Sequence, residues 1–221
     1  MANITWHTLC ISEHDGEGPL VAIKDTDDKS VEGGTQIFIY MPNTPYLFAN
    51  STAAFERLNL NIQNARIFTS TNGFCMDTYT VLESNGKPVG NRPDRISQIQ
   101  RVLVEHVSDR KSYVVPVRRK PPRRLKSFSQ HVEAELINSP DKPYSTLEIN
   151  CPDQTGILAT VGKMFAEHRI SLHDARITTL GERVEDLFFI TDESGTQLTA
   201  TDTGEKLTAE IKLRLKERFA A

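Results

Sequence analysis

The chain of 221 residues has little cysteine, little net charge and no long apolar run. Its three cysteines, Cys10, Cys75 and Cys151, are odd in number and far apart, which argues against a disulfide framework and a CxxC metal site. A reducing cytoplasm is therefore the expected location. Twenty-six basic residues against 29 acidic ones leave a net charge of −3, too small by itself to argue for nucleic acid or an acidic partner. No stretch approaches the roughly 18 apolar residues of a membrane helix, and no charged-then-apolar leader opens the chain, so no membrane partner is expected. Catalytic signatures are missing too. There is no GxSxG, no Walker-type loop and no Gly-Ser with paired Asp, and Gly33-Gly34 precedes a strand rather than following one. His173-Asp174 is an HD dipeptide without the further His and Asp ligands that a metal phosphohydrolase needs. No catalytic residue and no metal ligand is expected.

What is present is an ordinary globular composition, 38% hydrophobic and 25% charged, long enough for one large domain or two of about 100 residues. Self-comparison favours two. A shift of 110 residues places Ile39 on Ile149, Pro42 on Pro152, Ala49 on Ala159 and Phe55 on Phe165. The same shift sets Ala65-Arg66-Ile67 on Ala175-Arg176-Ile177, and after a one-residue gap Asp77 falls on Asp186. The period is longer than a solenoid repeat, so a whole domain is duplicated.

Each copy reads strand, helix, strand, strand, helix. The first has a strand at Thr35 to Met41 and a helix from Pro45 to Leu58. Strands Leu60 to Thr71 and Phe74 to Leu82 follow, joined through Asn72-Gly73, and then a helix from Pro93 to Val107. The second has strand Thr146 to Cys151, helix Thr155 to His168, strands Ile170 to Leu180 and Val184 to Thr191, and a helix from Gly204 to Phe219. This is the α+β pattern of tandem ferredoxin-like domains, each a four-stranded antiparallel sheet with two helices on one face. The fourth strand is either Ser112 to Val117, in the first copy only, or an upstream run, Pro19 to Lys24 and Val132 to Ile137, which gives a permuted edge strand. The domains are expected at 1–117, with an N-terminal extension, and at 128–221. Between them, 118–127 carries RRKPPRRLK, read as a solvated linker because no aromatic residues interleave its charges. Nucleic acid is not an expected partner.

Both copies make one turn, from the first strand into the first helix: MPNTPYLFANST at 41–52 and CPDQTGILATVG at 151–162. A helix start offers backbone N–H groups and partial positive charge to an anion. Asp153 beside it is an acceptor for a helix cap or for an ammonium group, and Gly156 permits close approach or a left-handed backbone. Together they suit a free amino acid, with a plain capped helix start as the alternative. Across the sheet the apolar period slips by one residue in both copies, predicting β-bulges at Gln63-Asn64 and His173-Asp174. These four residues are further ligand candidates, with a plain edge irregularity as the alternative. Arg66 and Arg176 are read as cross-strand ion pairs to Asp77 and Asp186.

The runs PDQTGILA and ISLHDARITTLGERVEDLFFI resemble ACT domains, regulatory modules that bind amino acids. With GTQIFIYMPNTPYLFA and LNIQNARIFTSTNGFCMDTYTVLE in the first copy, the chain looks like the paired C-terminal ACT region of the bifunctional PII uridylyltransferase/uridylyl-removing enzymes of bacterial nitrogen regulation. That resemblance implies a fragment of a nucleotidyltransferase and hydrolase, which uses Mg and UTP in catalytic domains outside this chain. It implies glutamine as effector, with PII signalling protein and those catalytic domains as partners. Carried over by position, it assigns Asp153, Gln154, Gly156, Ile157, Leu158, His173 and Asp174 to the second site. It assigns Asn43, Pro45, Tyr46, Leu47, Gln63 and Asn64 to the first. Asn43 and Tyr46 depart from the Asp-x-x-Gly pattern, so the second turn is the expected ligand site, with Tyr46 packing across the domain interface. No cofactor is expected in this chain. The alternative reading is an interaction or oligomerisation module that binds PII or partner domains without an amino acid; unassigned sheet edges admit a homodimer.

Overall fold

The computed structural model describes residues 2–25, 34–109, 131–154, 156–198 and 200–220. The elements run α1 (Ala2–Glu13), β1 (Leu20–Asp25), β2 (Thr35–Pro42), α2 (Leu47–Leu58), β3 (Leu60–Phe68), β4 (Phe74–Glu83) and α3 (Pro93–Val107). They continue as β5 (Glu133–Asn138), β6 (Ser145–Pro152), α4 (Ile157–Glu167), β7 (Ser171–Leu180), β8 (Arg183–Thr191) and α5 (Glu205–Ala220). All eight strands form one antiparallel sheet in the order β1-β2-β4-β3-β7-β8-β6-β5. Each copy contributes four adjacent strands of a ferredoxin-like layer. The two meet where β3 pairs antiparallel with β7, from Asn64 opposite Thr178 to Phe68 opposite Asp174.

The upstream runs supply the fourth strands. β1 pairs with β2 and β5 with β6, each at an outer edge of the sheet. The other candidate, Ser112 to Val117, lies outside the described residues, as do the basic linker and both expected domain boundaries. Alternate strand residues such as Ile37, Ile39, Ala65, Ile67, Leu147, Ile149, Ala175 and Ile177 are buried in a single core, the period-two burial of a sheet covered on one face.

Helices α2 and α4 cross the seam and lock the copies together. A Cβ at Gly162 would stand 2.8 Å from the Ala49 Cα, so only glycine allows this approach. Phe48, Phe165 and Phe188 pack around the contact, with ring centroids 5.3 to 6.3 Å apart. Burial of this kind contributes roughly 1.5–3 kcal/mol per large apolar side chain.

Two features differ from the sequence reading. α1 covers the other face of the first copy's sheet, where the His7 ring stacks on Phe38 at 4.1 Å and Trp6 packs beside it. The expected Arg–Asp ion pairs do not form. Arg66 stands opposite Thr78, and Arg176 opposite Leu187. The aspartates therefore sit on the other face from the arginines, buried in the core: Asp186 pairs in register with Ile177, not Arg176.

Candidate functional site

The first turn leaves β2 with the Asn43 N–H donating to the Gly73 carbonyl at 2.8 Å, and α2 starts at Leu47 behind Tyr46. The second leaves β6 with the Asp153 N–H donating to the Glu182 carbonyl at 2.8 Å, and α4 starts behind Gly156. Neither Tyr46 nor Gly156, the residue before each helix, caps it with a side chain. Gly156 has φ +86°, the left-handed conformation that glycine adopts without strain. Thr155 lies outside the described residues.

Both bulges form, between Ile62 and Asn64 and between Leu172 and Asp174. Their partnership with the turns is crossed. Within the second copy, Asp174 aligns through Phe189 with Thr146 at the start of β6, while the turn follows Pro152 at its end. Six residues of strand separate them by about 20 Å. Because β3 and β7 run antiparallel, the second copy's bulge instead flanks the first copy's turn: the Thr69 N–H donates to the His173 carbonyl at 3.2 Å. Gln63 and Asn64 correspondingly flank the second turn's end of the sheet, where the Thr179 hydroxyl donates to the Ile62 carbonyl.

At the first turn a cavity of about 330 Å³ opens on the seam, a size typical of small-molecule sites. Asn43, Tyr46 and Leu47 line it from the first copy, and Arg169, Ile170 and Leu172 from the second. Asp77, 1% exposed, also lines it, and its Oδ1 is buried without a hydrogen-bond partner. Burial pushes this carboxyl up to about 8; the Phe68 backbone N–H opposes that shift, and the nearby Asp174 carboxylate adds to it. Asp174 is itself raised by burial, against the pull of Arg176 and Arg66. At the rim, Arg169 pairs with Glu193 at 3.3 Å. His173 leans away, its Nε2 2.8 Å from the Thr191 hydroxyl.

The second turn is arranged differently. Arg218 of α5 reaches Glu56 of α2 at 2.6 Å, with side chains 10% and 1% exposed. A Cβ on Gly156 would lie 1.7 Å from the Arg218 guanidinium and 2.5 Å from the Glu56 carboxylate. The room that glycine leaves is thus filled by an internal ion pair. Asp186 is pushed up to about 8 by burial, with Asp153 adding to it, and Asp153 is raised by burial as well. Gln154 is buried with its Oε1 unpartnered, and Ile157 and Leu158 belong to the core.

The sequence reading missed Asp77, Glu56, Arg218 and the start of β7 as parts of these sites. For Asp77 a signal existed: an acid at a core-facing strand position, repeated as Asp186. No comparable signal joined Glu56 to Arg218. Among the described residues, no three His, Cys, Asp or Glu side chains stand together as a metal site.

Residues 145–203 match the family model described as the ACT domain. The chain carries an ACT domain. The match begins with β6 and includes the second turn, α4, β7 and β8. Beyond it, the chain is 43% identical over 219 residues to the bifunctional uridylyltransferase/uridylyl-removing enzyme of Ectopseudomonas mendocina, across 99% of this chain and 24% of that protein. The enzyme of the same description from Stutzerimonas stutzeri is 45% identical over 198 residues, and that of Azotobacter vinelandii 42% over 220. The chain thus spans about a quarter of the length of the curated relatives it matches. Among solved structures, an aspartate kinase from Synechocystis aligns with a TM-score of 0.45 at 15% identity, over 86% of this chain and 29% of that one. The ACT match and these relatives support a regulatory role for the chain.

Proposed function

We propose that the chain senses a free amino acid, glutamine by its resemblance, in the seam cavity at the first turn. Binding there would regulate catalytic domains of a longer protein, where Mg and UTP would be used and PII would be the substrate protein. The observation that carries this reading is the buried, unpartnered Asp77 oxygen lining a cavity made by both copies. A ligand ammonium group would complete that oxygen's hydrogen bonding, and a ligand carboxylate would suit the uncapped start of α2 or Arg169 at the rim. Because both copies line the cavity, a ligand there acts on their relative placement, which is what coupling to further domains requires.

Calorimetry of the chain with a panel of amino acids tests this. Glutamine should bind and raise thermal stability, by about 2.7 kcal/mol at a hundredfold excess over Kd; no response to any amino acid defeats the reading. Burial holds Asp77 toward its protonated form, and an ammonium beside it would favour the carboxylate. Binding should therefore release a proton, and affinity should rise with pH up to about 8. Titrations in buffers of different ionisation enthalpy measure that proton directly.

A further inference from the structure

On the sheet face turned away from α2 to α5, one row of residues crosses the seam in direct register. Arg66 on β3 stands opposite Arg176 on β7, Arg176 opposite Leu187 on β8, Leu187 opposite Glu148 on β6, and Glu148 opposite Glu135 on β5. Like charges directly opposite one another destabilise a sheet, and this row holds two such pairs of opposite sign. Among the described residues, none of the four forms a direct ion pair, and the Asp174 carboxylate in the neighbouring row interacts electrostatically with Arg66 and Arg176. α1 covers this face in the first copy, over Phe38, and no described element covers it in the second.

The row reads plus, plus, apolar, minus, minus, centred on Leu187. Such a pattern is complementary to itself under a two-fold rotation about an axis along β8. In the next row, Phe68, Asp174, Phe189, Thr146 and Ile137 in register, the centre and both ends are apolar, and the two-fold would set the Asp174 carboxylate over the Thr146 hydroxyl. Its end residues are among the exposed large hydrophobics, Phe68 at 46% and Ile137 at 41%.

We propose that two copies of the chain pack sheet on sheet through this face. The two-fold axis would set Arg176 of one copy over Glu148 of the other, and Arg66 over Glu135. Leu187 and Phe189 would each meet their own counterpart at the centre. Sheets packed face to face lie about 10 Å apart, a gap that Arg and Glu side chains span. Five strands and three rows cover about 400 Å² per copy, about half of what a standard specific interface buries on each partner, so the dimer is weak and transient. In the third row, Asn64, Thr178, Glu185, Asn150 and Glu133, the central Glu185 would face its own copy and oppose association. This proposal is independent of the amino-acid reading.

Sedimentation equilibrium of the 221-residue chain without amino acids, from micromolar to millimolar concentration, tests it. The expected result is a concentration-dependent dimer that added salt weakens. Arg176→Glu and Glu148→Arg should each raise Kd at least about tenfold, and the double variant should restore it. Glu185→Gln should tighten the dimer. Arg66→Glu with Glu135→Arg provides a second exchange of the same kind should either of the first variants misfold. A chain that stays monomeric throughout overturns the proposal and leaves this face to another occupant, such as further domains of a longer protein. A dimer indifferent to these substitutions, or one that the double exchange does not restore, also overturns it.

Discussion

The two strand-to-helix turns descend from one duplicated element, yet one borders a cavity and the other an ion pair. At the first turn, Tyr46 stands near Ala166 of the opposite helix, and the space between copies remains open above Asp77. At the second, Gly156 stands near Glu56, the residue equivalent to Ala166, and Arg218 fills the gap. The bulkier turn residue is the one that borders the seam cavity. What decides occupancy is not the size of the turn residue but what the partner helix and the last helix bring to it.

Gly156→Val should break the second turn most severely. It forces a β-branched residue to φ +86° and into the Arg218–Glu56 pair, for a loss of about 3–5 kcal/mol in denaturant unfolding. Arg218→Ala should cost about 3 kcal/mol by leaving Glu56 buried without its cation. An Arg218→Leu/Glu56→Leu double variant should recover much of that loss. A third measurement separates the two sites by ligand: Asp77→Asn should weaken glutamine binding at least about tenfold in calorimetry, whereas Asp186→Asn should leave it near wild type.

The last comparison concerns pH. Burial pushes Asp77 and Asp186 up to about 8, from an ordinary value of 3.8 that the unfolded chain would restore. The folded state therefore holds protons that the unfolded state has released, and stability falls as pH rises toward 8. His7, His106 and His173, lowered by burial, oppose this only below about 6.5. From pH 6.5 to 8, the melting temperature should drop, with each aspartate contributing up to about 1.4 kcal/mol per pH unit. Asn at either position should flatten the slope, by similar amounts if the aspartates are as equivalent as their register implies.

Much of this architecture is legible in the chain. Apolar periods mark each strand and helix, the slip in period marks both bulges, and the repeated Ile39/Ile149 and Ala65/Ala175 registers mark the duplication. The upstream strands are legible as extended runs that precede each copy's first strand, Pro19 to Lys24 and Val132 to Ile137. α1 was harder to read, because its residues form no clear apolar stripe and it packs onto Phe38 through Trp6 and His7. The parity of Arg66 against Asp77 depends on where the hairpin turns, and a shift of one residue there exchanges the faces.

The sequence by itself determined the duplicated α+β unit, the two turns and the two bulges, because these follow from local periodicity and backbone preference. Tertiary structure alone decided how they combine. Pairing β3 with β7 in antiparallel sense carries each bulge to the other copy's turn, and it brings Arg218 to Glu56 across 162 residues of chain. Such contacts are set by the direction in which two strands meet, and no local pattern encodes that direction.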